Sequence, residues 1–480
     1  MASIKSYLWT NVFLILTMLV AVVVRLVPVV LSWPYAVGFD TNALYIPAMI
    51  KGPPDIQTIF TYPGLHFLVL WVLYRIYPQP FVILDVLGVF LQGTLALSLY
   101  LYVKRAILLS NKHSAFASIV FTVAPITLRL TWDQYRMSLC LAAIMFAFIA
   151  IEAVSNRKKI LAIPLTMLVI LVNPLPAVLL LIAMLTHGLI KLREKKPFAI
   201  ELTAALIGIA IFLVQQVSVT ASGRLATTIP IGLVTMPEGL NEGLYGLGYL
   251  IFTSWPLLIL APLGWKTRDN QHHSIWLYST MFFALVALLF GVITIPPPFT
   301  YLMISFPLSV LVGRALMNHH RNPRFKILFA IVLLFLLTNA VTYVDSSPLS
   351  PTPYTNIGQS FRYYMPMGYL QSTVPTSYEA DLIQLLTTAL ATFPSNSTFY
   401  VPEQFYGFAL MLPNTRNANI VNLGEVDPWI PSPFSLIRPG DQSYTIWFAG
   451  NSGWYGVSTV PSNFIASQIE GPFALYKINS

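Results

Sequence analysis

Long apolar segments recur along the 480-residue chain and leave few ways for it to fold. Most are close to the twenty residues that an α-helix needs to cross a bilayer. A soluble domain carries about 25% charged residues, whereas this chain has 9%. The sequence therefore predicts an all-α polytopic membrane protein with about eleven transmembrane helices, near residues 8–30, 81–103, 115–131, 136–154, 160–172, 175–190, 198–217, 246–265, 275–293, 299–316 and 325–343.

The first apolar run, residues 7–24, is longer than the core of a cleavable signal peptide. Arg25 and Pro28 follow it, in place of a small-residue cleavage site. A retained first helix is therefore the favoured interpretation, and a cleaved signal peptide is the alternative.

Basic residues predict the orientation, because Lys and Arg concentrate in short cytoplasmic loops. The segment 64–78 is ambiguous, because it is apolar but contains His66 and ends at Arg75. If it crosses the membrane, the basic clusters fall on both sides. If it lies along the interface as a juxtamembrane helix, they all fall on one side with Lys5: 104–112, 157–159, 191–196, 266–268 and 314–326. The second choice predicts a multi-pass cell-membrane protein with a cytoplasmic N-terminus and its C-terminal part outside. The net charge of +9 is then explained by these topology signals, and nucleic acid is not expected as a partner.

The composition changes after residue 344 and becomes rich in Pro, Ser, Thr, Asn and aromatic residues. β-Rich runs and one helical segment predict a small mixed α/β domain. The predicted strands are Thr398–Val401, Tyr444–Phe448 and Phe473–Ile478, and the predicted helix is Ser377–Phe393. The expected organisation is a membrane domain, 1–344, whose first outer loop is 31–80, and an extracytoplasmic domain, 345–480.

Two acids in predicted outer loops are the candidates for chemistry, because ionisable groups at a membrane are costly. Asp40 lies in the first outer loop, and Asp133 lies in a short loop between Arg129 and Arg136. The two carboxylates could bind a divalent cation such as Mg or Mn, or one could act as general base while the other orients it. The arginines could bind a phosphate. Alternatively, Asp40 is a solvated loop acid or caps the helix that follows it, and Asp133 caps the next helix while the arginines anchor at the interface.

The predicted outer loop 218–245 adds Arg224 as a further phosphate ligand and Glu238 or Glu242 as a third acidic ligand, although a solvated loop is the alternative. Asp85, near the outer end of a predicted span, is expected to be in contact with water. The sequence contains no Gly-rich nucleotide motif and no Gly-x-Ser-x-Gly, so it indicates neither a nucleotide site nor a serine hydrolase.

Several short motifs occur in a recognisable order. They are Arg-Leu-x-Pro at 25–28, Gly-Phe-Asp at 38–40 followed by Tyr45, Tyr-Pro-Gly-Leu at 62–65, and Pro-Phe-Thr-Tyr-Leu at 298–302. In this order the chain resembles the C-type (GT-C) membrane glycosyltransferases, which include protein O-mannosyltransferases, aminoarabinose transferases and the catalytic subunit of oligosaccharyltransferase.

The resemblance implies that Asp40 is the catalytic residue. It also implies that the sugar donor is linked to polyprenyl phosphate in the membrane, and that the acceptor is an extracytoplasmic protein, lipid or glycan of the cell envelope. Tyr45, Tyr62 and His66 would support the loop. The sequence departs from the family at Thr41, where the mannosyltransferases have Glu, at Thr300, where an Arg is common, and at 453–456, where Gly-Trp-Tyr-Gly stands in place of Trp-Trp-Asp.

The sequence thus predicts a membrane glycosyltransferase. The alternative is a non-enzymatic protein: a transporter or flippase for a lipid-linked glycan, or an inactive accessory subunit with the same fold. A transporter should place polar residues deep within several spans, and the predicted spans contain few.

Overall fold

The chain divides into two compact units in a computed structural model. The first comprises Met1–Val27, Pro54–Leu68 and Val86–Tyr343, and the second comprises Pro28–Pro53, Val69–Asp85 and Val344–Ser480. Two early segments therefore join the tail in one unit, although the sequence places them with the membrane domain. The structure describes residues 2–36, 38, 40–61, 64–132, 134–221, 251, 254–265, 274–276, 278–279, 297–344, 378–424, 434, 437, 442–449 and 460–478.

Helices make up the described part of the chain up to residue 344. In order, they include α1 Ala2–Ser32, α2 Ile46–Ile50, α3 Ile56–Thr61, α4 Leu65–Ile76, α5 Pro80–Arg105, α6 Asn111–Val123, α7 Pro125–Trp132, α8 Tyr135–Ile151, α9 Asn156–Lys159, α10 Ala162–Val172, α11 Pro174–Arg193, α12 Ala199–Ala221, α13 Pro297–His319 and α14 Pro323–Val344. A π-helical turn, Thr41–Tyr45, precedes α2, and a 3₁₀ turn occupies Ala261–Gly264.

Three of the described helices are long and apolar enough to cross a membrane: Asn11–Val30 within α1, α5 and α11. Shorter apolar helices include α4 and α8. These helices agree with the predicted membrane protein. The total of eleven spans stays a prediction, because the segments near 246–265 and 275–293 lie partly or mostly outside the described residues.

The predicted span 115–131 is interrupted. α6 ends at Val123, α7 begins at Pro125, and Ala124 between them is extended, with φ −68° and ψ 132°. Proline has no N–H to continue a helix, and it disfavours the helical conformation of the residue before it. The helical junction predicted at Asn173-Pro174 is present, and the Asn173 side chain accepts a hydrogen bond from Leu175 N at 3.1 Å.

A five-stranded mixed sheet organises the C-terminal part of the second unit. Its strands are β1 Thr398–Val401, β2 Asn419–Asn422, β3 Ser443–Phe448, β4 Phe464–Glu470 and β5 Phe473–Ile478, in the order β2-β1-β3-β5-β4. β1 pairs in parallel with β2 and β3, whereas β5 pairs antiparallel with β3 and β4. The three predicted strands are present, which supports the mixed α/β class.

Two helices pack with this sheet. α15, Glu379–Thr392, lies close to the predicted helix bounds and contacts β4 and β5. α16, Glu403–Met411, was not predicted, and it contacts the π-helical turn and α2. Ala43 from that loop is 4% exposed and belongs to the same apolar core as Leu386 and Phe405.

A glycine allows the loop to approach α16 closely. A Cβ atom at Gly407 would lie 2.7 Å from the backbone oxygen of Asn42 and 2.9 Å from its Cα. Beside this contact, Lys51 Nζ lies 4.8 Å from the centre of the Tyr406 ring. The π-helical turn and α16 can therefore touch only while residue 407 lacks a side chain.

We expect Gly407→Ala to lower the unfolding temperature of the full-length protein. Alanine raises helix propensity by about 1 kcal/mol relative to glycine, but overpacking against a backbone costs about 1–3 kcal/mol. Thermal unfolding in detergent, followed by tryptophan fluorescence, measures the difference. An unfolding temperature equal to or above that of the wild type would contradict the close contact.

Candidate functional site

Asp40 lies immediately before the π-helical turn and is 8% exposed. Gly38, two residues earlier, has φ +119°, a backbone conformation that residues with a side chain rarely adopt. The Tyr45 hydroxyl donates a hydrogen bond of 3.4 Å to Asp40 Oδ2. The bond spans one turn, so the π-helical turn itself places the predicted supporting residue next to the predicted catalytic one.

The structure decides against the helix-cap interpretation of Asp40. Its backbone is already helical, with φ −61° and ψ −21°, and its side chain makes no capping hydrogen bond. The acid that does cap in this loop is Asp55, whose Oδ1 accepts from Thr58 N at 2.5 Å. The buried carboxylate of Asp40 therefore has no helix-capping role in this structure.

An aromatic cluster forms where the loop before Asp40 packs on α16. Tyr35, Phe81 and Phe408 lie with ring centres 5.6 to 6.2 Å apart. They come from the loop, the start of α5 and α16, respectively. Aromatic contacts of this kind add about 0.5–1.5 kcal/mol each beyond the burial of area, so they stabilise the packing of the loop on α16.

Two buried carboxyl groups belong to the same unit as this cluster, and one of them corrects the expectation for Asp85. Asp85 is 3% exposed, so water does not reach it, and Glu379 at the start of α15 is 2% exposed. Burial, and secondly the charge of Asp85, raise the pKa of Glu379 well above its usual range. Burial, and secondly Glu379, also raise the pKa of Tyr35. The buried environment of Glu379 therefore favours its neutral form.

His66 and Arg136, two other predicted site residues, belong to the first unit. His66 is 3% exposed on α4, and Arg136 lies near the start of α8 as its electrostatic neighbour. The Arg136 guanidinium carbon lies 5.5 Å from the ring centre of Phe67. This cation–π contact holds the Arg136 guanidinium beside the aromatic ring.

A buried polar chain fixes α7, the helix that leads to Asp133. Arg25 Nε donates to the Thr131 backbone oxygen at 3.0 Å, and Thr131 Oγ1 donates to Gln92 Oε1 at 2.8 Å. Gln92 Nε2 in turn donates to the Thr122 oxygen at 3.0 Å. Arg25 is fully buried, and a Cβ atom at Gly88 would lie 2.6 Å from one of its terminal nitrogens. The predicted motif residue Arg25 thus ties α1 to α7.

The remaining predicted site residues lie wholly or partly outside the described part of the chain. For Arg129 the structure describes the backbone, within α7, and not the side chain. Among the described residues, no three or more His, Cys, Asp or Glu side chains converge as metal ligands. The predicted site residues that the structure does not describe are Tyr62, Asp133, Arg224, Glu238 and Glu242.

The sequence did not identify Glu379 or α16 as neighbours of the loop that carries Tyr35 and Asp40. One signal was available: Asp85 interrupts an apolar run, and a buried acid there requires a polar or protonated partner. The identity of that partner depends on tertiary contacts between distant segments, and a single sequence does not contain them.

Comparisons with known proteins give similarity in structure and none in sequence. No protein-family model matches the chain, and no curated protein sequence matches it. The structure is similar to that of the arabinofuranosyltransferase AftD from Mycobacteria, with a TM-score of 0.53 and 12% identity over 98% of this chain. The oligosaccharyltransferase of Archaeoglobus fulgidus gives a TM-score of 0.44 at 10% identity, over 92% of this chain and 69% of that one.

This likeness in fold to a membrane glycosyltransferase confirms the resemblance to the C-type (GT-C) enzymes that the short motifs predicted. The chain matches 42% of the length of the AftD structure. Identity this low establishes the fold, and activity has to be argued from the site.

We expect Glu379→Gln to make the protein more stable at neutral pH and to flatten the dependence of stability on pH. Because the folded-state pKa is raised, the stability linked to Glu379 is fully present below about pH 4.3 and is lost as pH rises through the folded-state pKa. The neutral amide is not subject to this loss. Unfolding temperatures of wild type and variant, compared between pH 4 and 8, should diverge as pH rises. Parallel curves would contradict a buried, protonated Glu379.

Proposed function

We propose that the protein is a membrane glycosyltransferase that moves a sugar from a polyprenyl-phosphate-linked donor to an extracytoplasmic acceptor. The observation that carries the proposal is the buried Asp40 carboxylate, held by Tyr45 in the first outer loop of a chain with the GT-C fold. The location proposed for it is the cell membrane, with the N-terminus cytoplasmic and the C-terminal domain outside.

Asp40 is suited to act as the general base. In the proposed reaction, a nucleophilic oxygen or nitrogen of the acceptor attacks the anomeric carbon of the sugar, and the bond from that carbon to the phosphate oxygen breaks. The electron pair leaves with the polyprenyl phosphate, and Asp40 takes the proton of the acceptor. Burial limits the access of water, which would otherwise compete with the acceptor.

Cations are needed where the phosphate departs, because negative charge builds up on its leaving oxygen. Arg136, held over Phe67, is the described candidate, and Arg129 and Arg224 are the others proposed from the sequence. A divalent cation, Mg or Mn, is proposed at Asp40 and Asp133, with Glu238 or Glu242 as a further ligand. Carboxylate oxygens suit such hard cations, and a bound cation would neutralise phosphate charge. Tyr62 and His66 are proposed to support the loop.

We expect Asp40→Asn to reduce sugar transfer by at least about a hundredfold, the lower range of a general base's contribution. Transfer of radiolabelled sugar from a polyprenyl-phosphate donor to an envelope fraction measures it. Asp55→Asn is the matched control, because Asn also caps a helix, and its activity should equal that of the wild type. Unchanged turnover in a folded Asp40→Asn variant would instead favour the non-enzymatic alternative, a glycan transporter or an accessory subunit.

Tyr45→Phe should have a smaller effect than Asp40→Asn. Its hydrogen bond is long, and a neutral hydrogen bond contributes about 0.5–1.5 kcal/mol net. The expected loss is therefore about tenfold or less. A loss as large as that of Asp40→Asn would assign a direct role to the Tyr45 hydroxyl.

Chelation tests the proposed cation. EDTA should abolish transfer by the wild type, and excess Mg or Mn should restore it. Full activity in EDTA would remove the cation from the mechanism and leave the role of Asp40 as general base intact.

A further inference from the structure

A groove of about 990 Å³ opens on the first unit where α5 and α8 end and α10 begins. Its walls are mainly apolar and include Phe146, Ile149, Leu165 and Leu168. Charged side chains line it where α5 and α8 end. None of these residues belongs to the site around Asp40, so the groove needs its own explanation.

The short length of α10 leaves this space open. α10 has 11 residues and is therefore about 16 Å long, roughly half of the hydrocarbon thickness of a bilayer. The connection before it carries apolar side chains that are largely exposed: Val154 is 101% exposed, Ile160 52% and Leu161 54%. In a membrane, lipid chains would cover such side chains and the apolar groove beside them.

The charges at the end of the groove are those that recognise a phosphate. Arg105 and Lys158 line it together with Glu152, which gives the end a net positive charge. Both cations are exposed, and neither has an ion-pair partner among the described residues. Neighbouring basic residues that are engaged inside the protein do not line the groove: Lys104 lies over the Tyr100 ring, and Lys191 pairs with Glu201.

We propose that this groove binds one anionic phospholipid. Its phosphate lies between Arg105 and Lys158, and its acyl chains follow Ile149, Leu165 and Leu168. The basic clusters predict that this end faces the cytoplasm, where anionic headgroups attract basic residues. The site is therefore independent of the proposed sugar donor and of the proposed transfer.

Native mass spectrometry of the full-length protein, released from detergent with added phosphatidylglycerol or phosphatidylcholine, tests the proposal. The wild type should retain phosphatidylglycerol and lose phosphatidylcholine. Arg105→Gln/Lys158→Gln should weaken phosphatidylglycerol binding roughly tenfold or more, since each basic residue near an anionic headgroup contributes. The matched control, Lys112→Gln/Arg324→Gln, removes the same charge from exposed residues outside the groove and should bind like the wild type.

Leu165→Trp tests the apolar part of the site without changing any charge. The larger side chain should fill the groove and reduce lipid retention by a similar factor, while circular dichroism remains that of the wild type. Equal retention of the two lipids, equal losses in the groove variant and the control, or no retained phosphatidylglycerol would each overturn the proposal. None of these readouts depends on sugar transfer, so they stand apart from the test of Asp40.

Discussion

The contact between Gly407 and the backbone of Asn42 is the interaction on which the candidate site depends. The loop from Trp33 to Lys51 is too short to bury an apolar core of its own, and it acquires one by packing on α16. Asp40 lies two residues before the contact, so its position is set by the C-terminal part of the chain. α16, in the C-terminal part of the chain, therefore helps to position the proposed catalytic residue.

Three carboxyl groups are buried among the described residues of the unit that contains this contact. Asp40, Asp85 and Glu379 are all less than 10% exposed and belong to the same unit. Burying a charge is costly, so an arrangement selected for stability alone would place apolar side chains there. The raised pKa of Glu379 offsets part of that cost by favouring a neutral carboxylic acid. Asp40 accepts a hydrogen bond from the Tyr45 hydroxyl.

The parts of the fold that could be predicted are those with a local signal. β1, β3 and β5 are rich in aromatic and β-branched residues, and α15 shows helical spacing of its leucines. The break at Ala124 was missed because the apolar run continues across it, although Pro125 was the available signal. α16 was missed because it is short and contains Gly407, which disfavours a helix locally and is required by a tertiary contact. Asp40 could be predicted as a candidate because its signal is local, whereas its surroundings depend on tertiary contacts.

Topology and recognition place different demands on the basic residues of the first unit. For orientation, any Lys or Arg in a short loop is sufficient, whether or not its charge is compensated. Lys191 and Lys196 are compensated, since they lie 2.6 and 2.7 Å from Glu201 and Glu194. Arg105 and Lys158 differ, because they stand without an ion-pair partner among the described residues at the end of an apolar groove. Orientation alone does not explain that combination, whereas an anionic lipid accounts for both the exposed charge and the exposed apolar surface.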